Sequence, residues 1–126
     1  FVFIRFCAIM KKQKKPYMTR AHLRKRMHPE KDVFCYKDMP DHILDSFQNW
    51  AWNKLISHEL VKKYHIKFQE IFRTNDFLFV ASCMMLADRI TLLEKKLVYY
   101  RIGMSNNCQA TNYKFPLDFF DGIFMR

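Results

Sequence analysis

The chain has 126 residues, which is enough for one hydrophobic core but not for two. Half of the residues are hydrophobic and 17% are aromatic, and this composition excludes a disordered chain. Only two glycines are present, which argues against a complete nucleotide-binding fold with a glycine-dependent phosphate loop.

The net charge of +10 is concentrated at the N-terminus. Residues 1–29 hold nine Lys or Arg and no Asp or Glu, whereas residues 30–126 hold thirteen against twelve. Because residues 11–30 also lack an apolar period, we expect residues 1–30 to be a basic segment that is poorly ordered or loosely packed. Its tract of residues 11–26 is compatible with peripheral membrane contact, with nucleic-acid binding or with a solvated linker.

The first predicted elements are two strands and a helix. Residues 1–10 are rich in β-branched and aromatic side chains and predict a strand or the end of one, and residues 33–36 predict a second short strand. Pro40 and Asp41 begin a predicted helix that runs to about residue 48. Its apolar face consists of Ile43, Leu44 and Phe47.

The next predicted element is a short helix. Ser57 is a typical N-cap, and the helix is expected to reach about residue 64. Its apolar stripe consists of Leu60, Val61 and Tyr64. Residues 66–68 are expected to be short and extended.

The third predicted helix covers residues 77–87 and is opened by the sequence Thr-Asn-Asp. Its residues are apolar nearly all round, so we expect it to be the most buried element. Residues 89–93 and 97–101 predict a hairpin. A last helix is predicted for residues 116–124. The mixed order of strands and helices predicts an α/β fold.

The cysteines and the apolar segments bear on compartment and targeting. No C-x-x-C pair or zinc-ligand spacing occurs, so we expect a reducing compartment and no structural metal. The longest apolar run, residues 77–87, is too short to span a bilayer. Residues 1–10 are interrupted by Arg5 and lack a basic leader and a cleavage site, so we expect no signal peptide and a chain that begins within a longer protein.

A set of short motifs occurs in a defined order: WNKL at 52–55, HELV at 58–61, IKF at 66–68, TND at 74–76 and YYR at 99–101. The order and spacing of these motifs resemble the C-terminal half of bacterial family-two glycosyltransferases of the GT-A type. The resemblance extends over about residues 38–116. It implies a partial GT-A fold, the nucleotide-diphospho-sugar transferase type, in which residues 31–126 form the acceptor-side half.

The resemblance also implies roles for individual residues. Asp76 matches the catalytic base, which takes the proton of the acceptor hydroxyl in an inverting transfer. Asn75 stands where the family often has Glu. The remaining matched positions imply substrate binding by Trp52, Asn53, Lys54 and Arg101.

Each of these positions also has a structural interpretation, and the sequence leaves both open. Asp76 is a good residue for the first turn of a helix, whether or not it is catalytic. Asn53 and Lys54 are also compatible with a turn-organising amide and an exposed cation. A tryptophan such as Trp52 is often only packed, and a strand-end Arg101 often pairs with a surface carboxylate.

The donor-binding half of the family has no counterpart here. That half binds metal through Asp-x-Asp, which does not occur in this sequence. We therefore expect no metal or cofactor site in this chain, and magnesium or manganese in the complete enzyme. The expected partners of the complete enzyme are a nucleotide-sugar and a glycan or lipid-linked acceptor. The expected location is cytoplasmic, including the inner face of the membrane.

Two other functions are compatible with the sequence. A nucleic-acid-binding protein would use the basic N-terminus, but the sequence lacks the interleaved aromatic and basic residues of a stacking surface. A non-catalytic interaction domain could also be built on the same scaffold. Whether this chain acts as an enzyme on its own is left open by its sequence.

Overall fold

The computed structural model describes the backbone of residues 2–5, 8–9 and 18–19, and residues 31–47, 49–93, 114, 117 and 120 in full. These residues form a mixed α/β arrangement, and the predicted class is thereby confirmed. The six strands, β1 to β6, are Val2–Arg5, Ala8–Ile9, Met18–Thr19, Val33–Phe34, Lys54–Ile56 and Ile90–Leu93. The helices are α1, His58–Lys63, and α2, Asn75–Leu86, and short 3₁₀ turns cover Tyr36–Asp38 and Ala51–Asn53.

Four of the strands form one mixed sheet in the order β4-β6-β1-β5. Strand β1 is parallel to β6 and antiparallel to β5, and β4 is antiparallel to β6. The strand predicted within residues 1–10 is therefore an inner strand, hydrogen-bonded on both sides to elements of the 31–93 segment. Strands β2 and β3 form a separate antiparallel pair.

The register of the sheet defines a covered and an open face. Residues that pair across neighbouring strands form a row, and one such row contains Phe34 of β4, Ile90 of β6 and Ile56 of β5. Ile90 and Phe34 are buried, so this row faces the core. Side chains alternate along a strand, and the adjacent row therefore faces the other way. That row contains Leu55 and Val33, which are both exposed.

The core lies between the sheet and α2. The rings of Phe34 and Phe47 stack at 5.7 Å between centroids. The most completely buried side chains are Phe34, Ile43, Ser46, Val80, Cys83, Met84 and Ile90. These come from β4, the segment after it, α2 and β6, so the core joins elements that are far apart in the sequence.

Helix α2 begins two residues earlier than predicted and is not buried on every side. Its buried stripe includes Val80, Cys83 and Met84, whereas Met85 and Leu86 are exposed. The helix packs on the sheet through one side, and the chain supplies nothing to cover the opposite side of its last turn within the described residues. The expectation of a helix buried on nearly every side was therefore wrong. Apolar residues on all sides of a helix do not specify how many other elements pack against it.

The prediction of a helix over residues 40–48 is also wrong. The segment up to residue 47 forms successive turns with some backbone hydrogen bonds between residues four apart. Ile43 and Phe47 are buried as predicted, but Leu44 is exposed. Asp, His and Ser have low helix propensity, so this segment gains little from forming a helix. Its backbone instead follows the burial of Ile43 and Phe47 in the core.

The other predicted elements have mixed outcomes. Helix α1 starts directly after Ser57, as predicted, and its predicted stripe is buried at Leu60 but exposed at Tyr64. Residues 66–68, expected to be short and extended, belong to neither a helix nor a sheet. The predicted strand over residues 97–101 lies outside the described residues, as does the helix over 116–124 apart from single positions. Among the described residues, no helix is long and apolar enough to cross a membrane.

Two adjacent methionines of α2 test the position of this core. Met84 is 1% exposed and Met85 is 44% exposed. We expect Met84→Ala to lower the free energy of unfolding by roughly 2–5 kcal/mol, because it leaves a cavity in the core. Met85→Ala is the matched control, since both changes have the same effect on helix propensity, and it should cost less than about 1 kcal/mol. Equal costs in urea-induced unfolding would contradict the described packing of α2.

Candidate functional site

The start of α2 meets the segment that leads into β5. The backbone N–H of Ala51 donates a hydrogen bond to Asp76 Oδ2 at 3.3 Å. Ala51 lies in the 3₁₀ turn immediately before β5, and Asp76 lies in the first turn of α2. The TND motif at 74–76 is therefore in direct contact with the residue that immediately precedes the WNKL motif at 52–55.

The local structure around Asp76 follows from the way α2 begins. Thr74 is the N-cap residue and has a left-handed backbone with φ of 55°, which is unusual for a β-branched residue. The N–H of Phe77 donates to the Thr74 carbonyl at 3.0 Å. Asp76 thus projects from a first turn, where the helix dipole favours a negative charge. Asn75 is exposed at the first position of the helix.

Lys54 is drawn into the site and is not an exposed turn lysine. Its Nζ donates to the carbonyl of Trp50 at 3.0 Å and to Asn53 Oδ1 at 2.7 Å. Burial lowers the pKa of Lys54 to about 7, and the attraction of the Asp76 carboxylate opposes that change. The amine therefore titrates in the neutral pH range rather than in the alkaline range usual for lysine.

Asn53 is the most deeply buried polar residue of the site, at 4% exposure. Its Oδ1 accepts the hydrogen bond from Lys54, whereas its Nδ2 is buried with no hydrogen-bond partner among the described residues. An unsatisfied buried donor costs about 1–3 kcal/mol. The predicted turn-organising role of Asn53 is compatible with its contact to Lys54, but that role does not account for the amide donor.

Two tryptophan rings lie beside these polar groups. Trp50 and Trp52 stack at 4.9 Å between centroids with an interplanar angle of 19°, and both are partly buried. Trp50 also contributes the carbonyl that binds Lys54. The pair forms a rigid aromatic platform with a charged and an amide group next to it, a composition common to binding sites for polar organic molecules.

The structure brings most of the predicted site residues together. Trp52, Asn53, Lys54 and Asp76 form one cluster, and Asn75 lies next to it at the helix start. Arg101 lies outside the described residues. Sequence reasoning missed the backbone N–H of Ala51, because a main-chain donor leaves no signal in the residue type.

A divalent metal does not fit this cluster. Among the described residues, Asp76 is the only carboxylate that these contacts place in the cluster, and its charge interacts with the Lys54 amine. Within residues 31–47 and 49–93, no three His, Cys, Asp or Glu side chains come close enough to hold an ion. The metal expected in the complete enzyme therefore has no ligand set in the described part of the chain, and no step is assigned to it.

Comparisons of this chain with models of protein families, with curated proteins and with solved structures found no match. The α/β class is independent of these comparisons, because it follows from the order of strands and helices. A functional assignment depends on the motifs and on the geometry of the cluster around Asp76 and Lys54.

The lowered pKa of Lys54 predicts a pH dependence of stability. In the unfolded chain a lysine titrates near about 10.4, so between about pH 7 and 10 the unfolded state binds a proton that the folded state has released. Stability should therefore rise with pH across this window, by roughly 2–4 kcal/mol in total. Lys54→Met should remove this rise.

A second group, the Cys83 thiol, changes stability with pH in the opposite direction, and comparing wild type with Lys54→Met removes its effect. Burial raises the pKa of the Cys83 thiol to about 11. The unfolded chain therefore releases this proton first, and the free energy of unfolding falls as pH rises from about 8.5. Both proteins contain Cys83, and its effect cancels in the difference. Urea unfolding of the two proteins at a series of pH values measures the difference, and parallel curves would contradict the burial of the Lys54 amine.

Proposed function

We propose that residues 31–126 are the acceptor-side half of an inverting, family-two glycosyltransferase of the GT-A type. The observation that supports this most is the contact of Asp76 with the segment of Trp50 to Lys54. Asp76 belongs to one matched motif and Lys54 to another, and the two charges interact within one cluster. A chance resemblance in unrelated loops would not require such a contact.

In the proposed reaction Asp76 is the general base. It takes the proton from the acceptor hydroxyl, and that oxygen forms the new bond to the anomeric carbon while the bond from that carbon to the nucleotide phosphate breaks. The attack comes from the face opposite the leaving nucleotide. Asp76 Oδ2 accepts the hydrogen bond from the Ala51 backbone N–H, and we assign the acceptor proton to the other oxygen, Oδ1.

Lys54 and the tryptophans are assigned to substrate binding. A negative charge near Lys54 raises the pKa of its amine, so the donor diphosphate would favour the protonated form that binds it. Trp52, stacked on Trp50, offers an aromatic surface for a sugar ring. Asn53, Asn75 and Arg101 complete the proposed substrate-binding set, with Arg101 suited to a bidentate contact with a diphosphate.

The remaining parts of the proposal concern the complete enzyme. A donor-binding half would supply the nucleotide site and the magnesium or manganese ion. The acceptor would be a glycan or a lipid-linked sugar, and the protein would act in the cytoplasm or at the inner face of the membrane.

A non-catalytic interaction domain is the second candidate. One observation favours it: Asp76 Oδ2 already accepts a hydrogen bond that ties α2 to the turn before β5. A carboxylate with this structural task need not have a chemical one. The two candidates are separated by substitution of Asp76.

The test uses the full-length protein with a panel of nucleotide-sugars and glycan acceptors, and it measures acceptor-dependent release of the nucleotide. Asp76→Asn keeps an oxygen that accepts the Ala51 hydrogen bond but removes the base. We expect turnover to fall by roughly 10²–10⁴-fold with donor affinity and melting temperature nearly unchanged.

Asp45→Asn is the matched control, because Asp45 is exposed and contacts only His42, at 3.6 Å, among the described residues. This variant should retain normal turnover. Normal turnover of Asp76→Asn would exclude the catalytic assignment. A wild-type protein that releases no nucleotide with any donor and acceptor pair would overturn the proposed transfer itself.

A further inference from the structure

The connection between α1 and α2 exposes an unusual number of aromatic rings. Tyr64, Phe68 and Phe72 are 40%, 49% and 73% exposed. They are the only exposed aromatic side chains within residues 31–47 and 49–93. Elsewhere in this part of the chain, aromatic rings are buried or partly buried. Exposed apolar rings concentrated in one connection are typical of an interaction surface.

The same connection is basic. Residues 62–73 contain four Lys or Arg and one Glu. Lys62, Lys63 and Lys67 are all exposed, and α1 ends at the first two of them. We call residues 62–73 the α1–α2 surface. Its charge is positive although residues 30–126 as a whole are nearly neutral.

Cations lie beside two of the rings. Lys63 Nζ is 4.9 Å from the centroid of the Tyr64 ring, and the Arg73 guanidinium carbon is 5.7 Å from that of Phe72. Each pair combines an apolar ring with a charged tip. Such pairs suit the boundary of a bilayer, where rings enter the acyl region and cations stay at the phosphates.

We propose that the α1–α2 surface docks on an anionic lipid bilayer. Phe72 and the other exposed rings of this segment supply the apolar part of the contact, and the three lysines supply attraction to anionic headgroups. This surface consists of other residues than the basic tract of residues 11–26, and the proposal does not depend on the proposed sugar transfer.

Single-stranded nucleic acid is the main competing partner, because it also binds basic and aromatic residues. Base stacking requires an accessible ring face. One face of Phe68 is covered by Phe79, with ring centroids 4.0 Å apart, and a cation lies over the rings of Tyr64 and Phe72. These contacts leave at most one face of each ring open to a base. Insertion into lipid needs exposed apolar area and does not need an open ring face, so the geometry favours the bilayer.

The experiment measures sedimentation of the full chain with phosphatidylcholine vesicles that contain or lack phosphatidylserine. We expect binding only to the anionic vesicles. Replacing Lys62, Lys63 and Lys67 together by Gln should weaken binding by about fivefold per lysine, or on the order of 100-fold. Phe72→Ser should weaken it by about tenfold, because a ring that enters the bilayer is lost.

The controls are single changes of the same type, apolar to Ser and Lys to Gln, at exposed positions outside this surface. Leu55 is 69% exposed on β5, and Lys37 is exposed after β4, so Leu55→Ser and Lys37→Gln should leave vesicle binding unchanged. Each variant is first required to have the wild-type circular dichroism spectrum.

Three results would overturn the proposal. The first is absence of binding to anionic vesicles. The second is binding that survives both the triple lysine change and Phe72→Ser, which would assign lipid contact to another segment such as the N-terminal tract. The third is loss of oligonucleotide binding in these variants, measured by fluorescence anisotropy, while vesicle binding stays at the wild-type level. That result would identify a nucleic-acid surface.

Discussion

Packing of one side of α2 against the sheet is the constraint on which the rest of the described structure depends. Val80, Cys83 and Met84 anchor the helix to the row of Phe34 and Ile90. Because the helix cannot shift without opening this core, its first turn is held against the segment before β5. The contact between Asp76 and Ala51 is therefore a consequence of apolar packing more than of the hydrogen bond itself.

The electrostatics of the site follow from the same packing. Lys54 begins an edge strand, yet its amine turns toward the Trp50 carbonyl and Asn53 and loses much of its hydration. Desolvation makes the charged form costly, and the nearby Asp76 recovers only part of that cost. The same pair therefore combines a stability penalty with a charge that responds to an anionic ligand, which is a common arrangement in binding sites.

The proposed site and the α1–α2 surface both contact α2. The segment before β5 holds the polar cluster, and the connection that follows α1 holds the exposed rings. Phe68 links that connection to α2 through its stack on Phe79. A membrane contact through this connection would thus be attached to the helix that carries Asp76, which suits an enzyme with a lipid-linked acceptor.

The sequence by itself determined the α/β class, the start of α1 directly after Ser57, the strand at Ile90 and the helix that carries Asp76. These features depend on local residue patterns and helix caps. It also named the residues that cluster at the site. Only the tertiary structure decided that residues 40–47 are turns, that Met85 is exposed and that Lys54 is desolvated. Burial depends on neighbours distant in the chain, and no local pattern of residues specifies them.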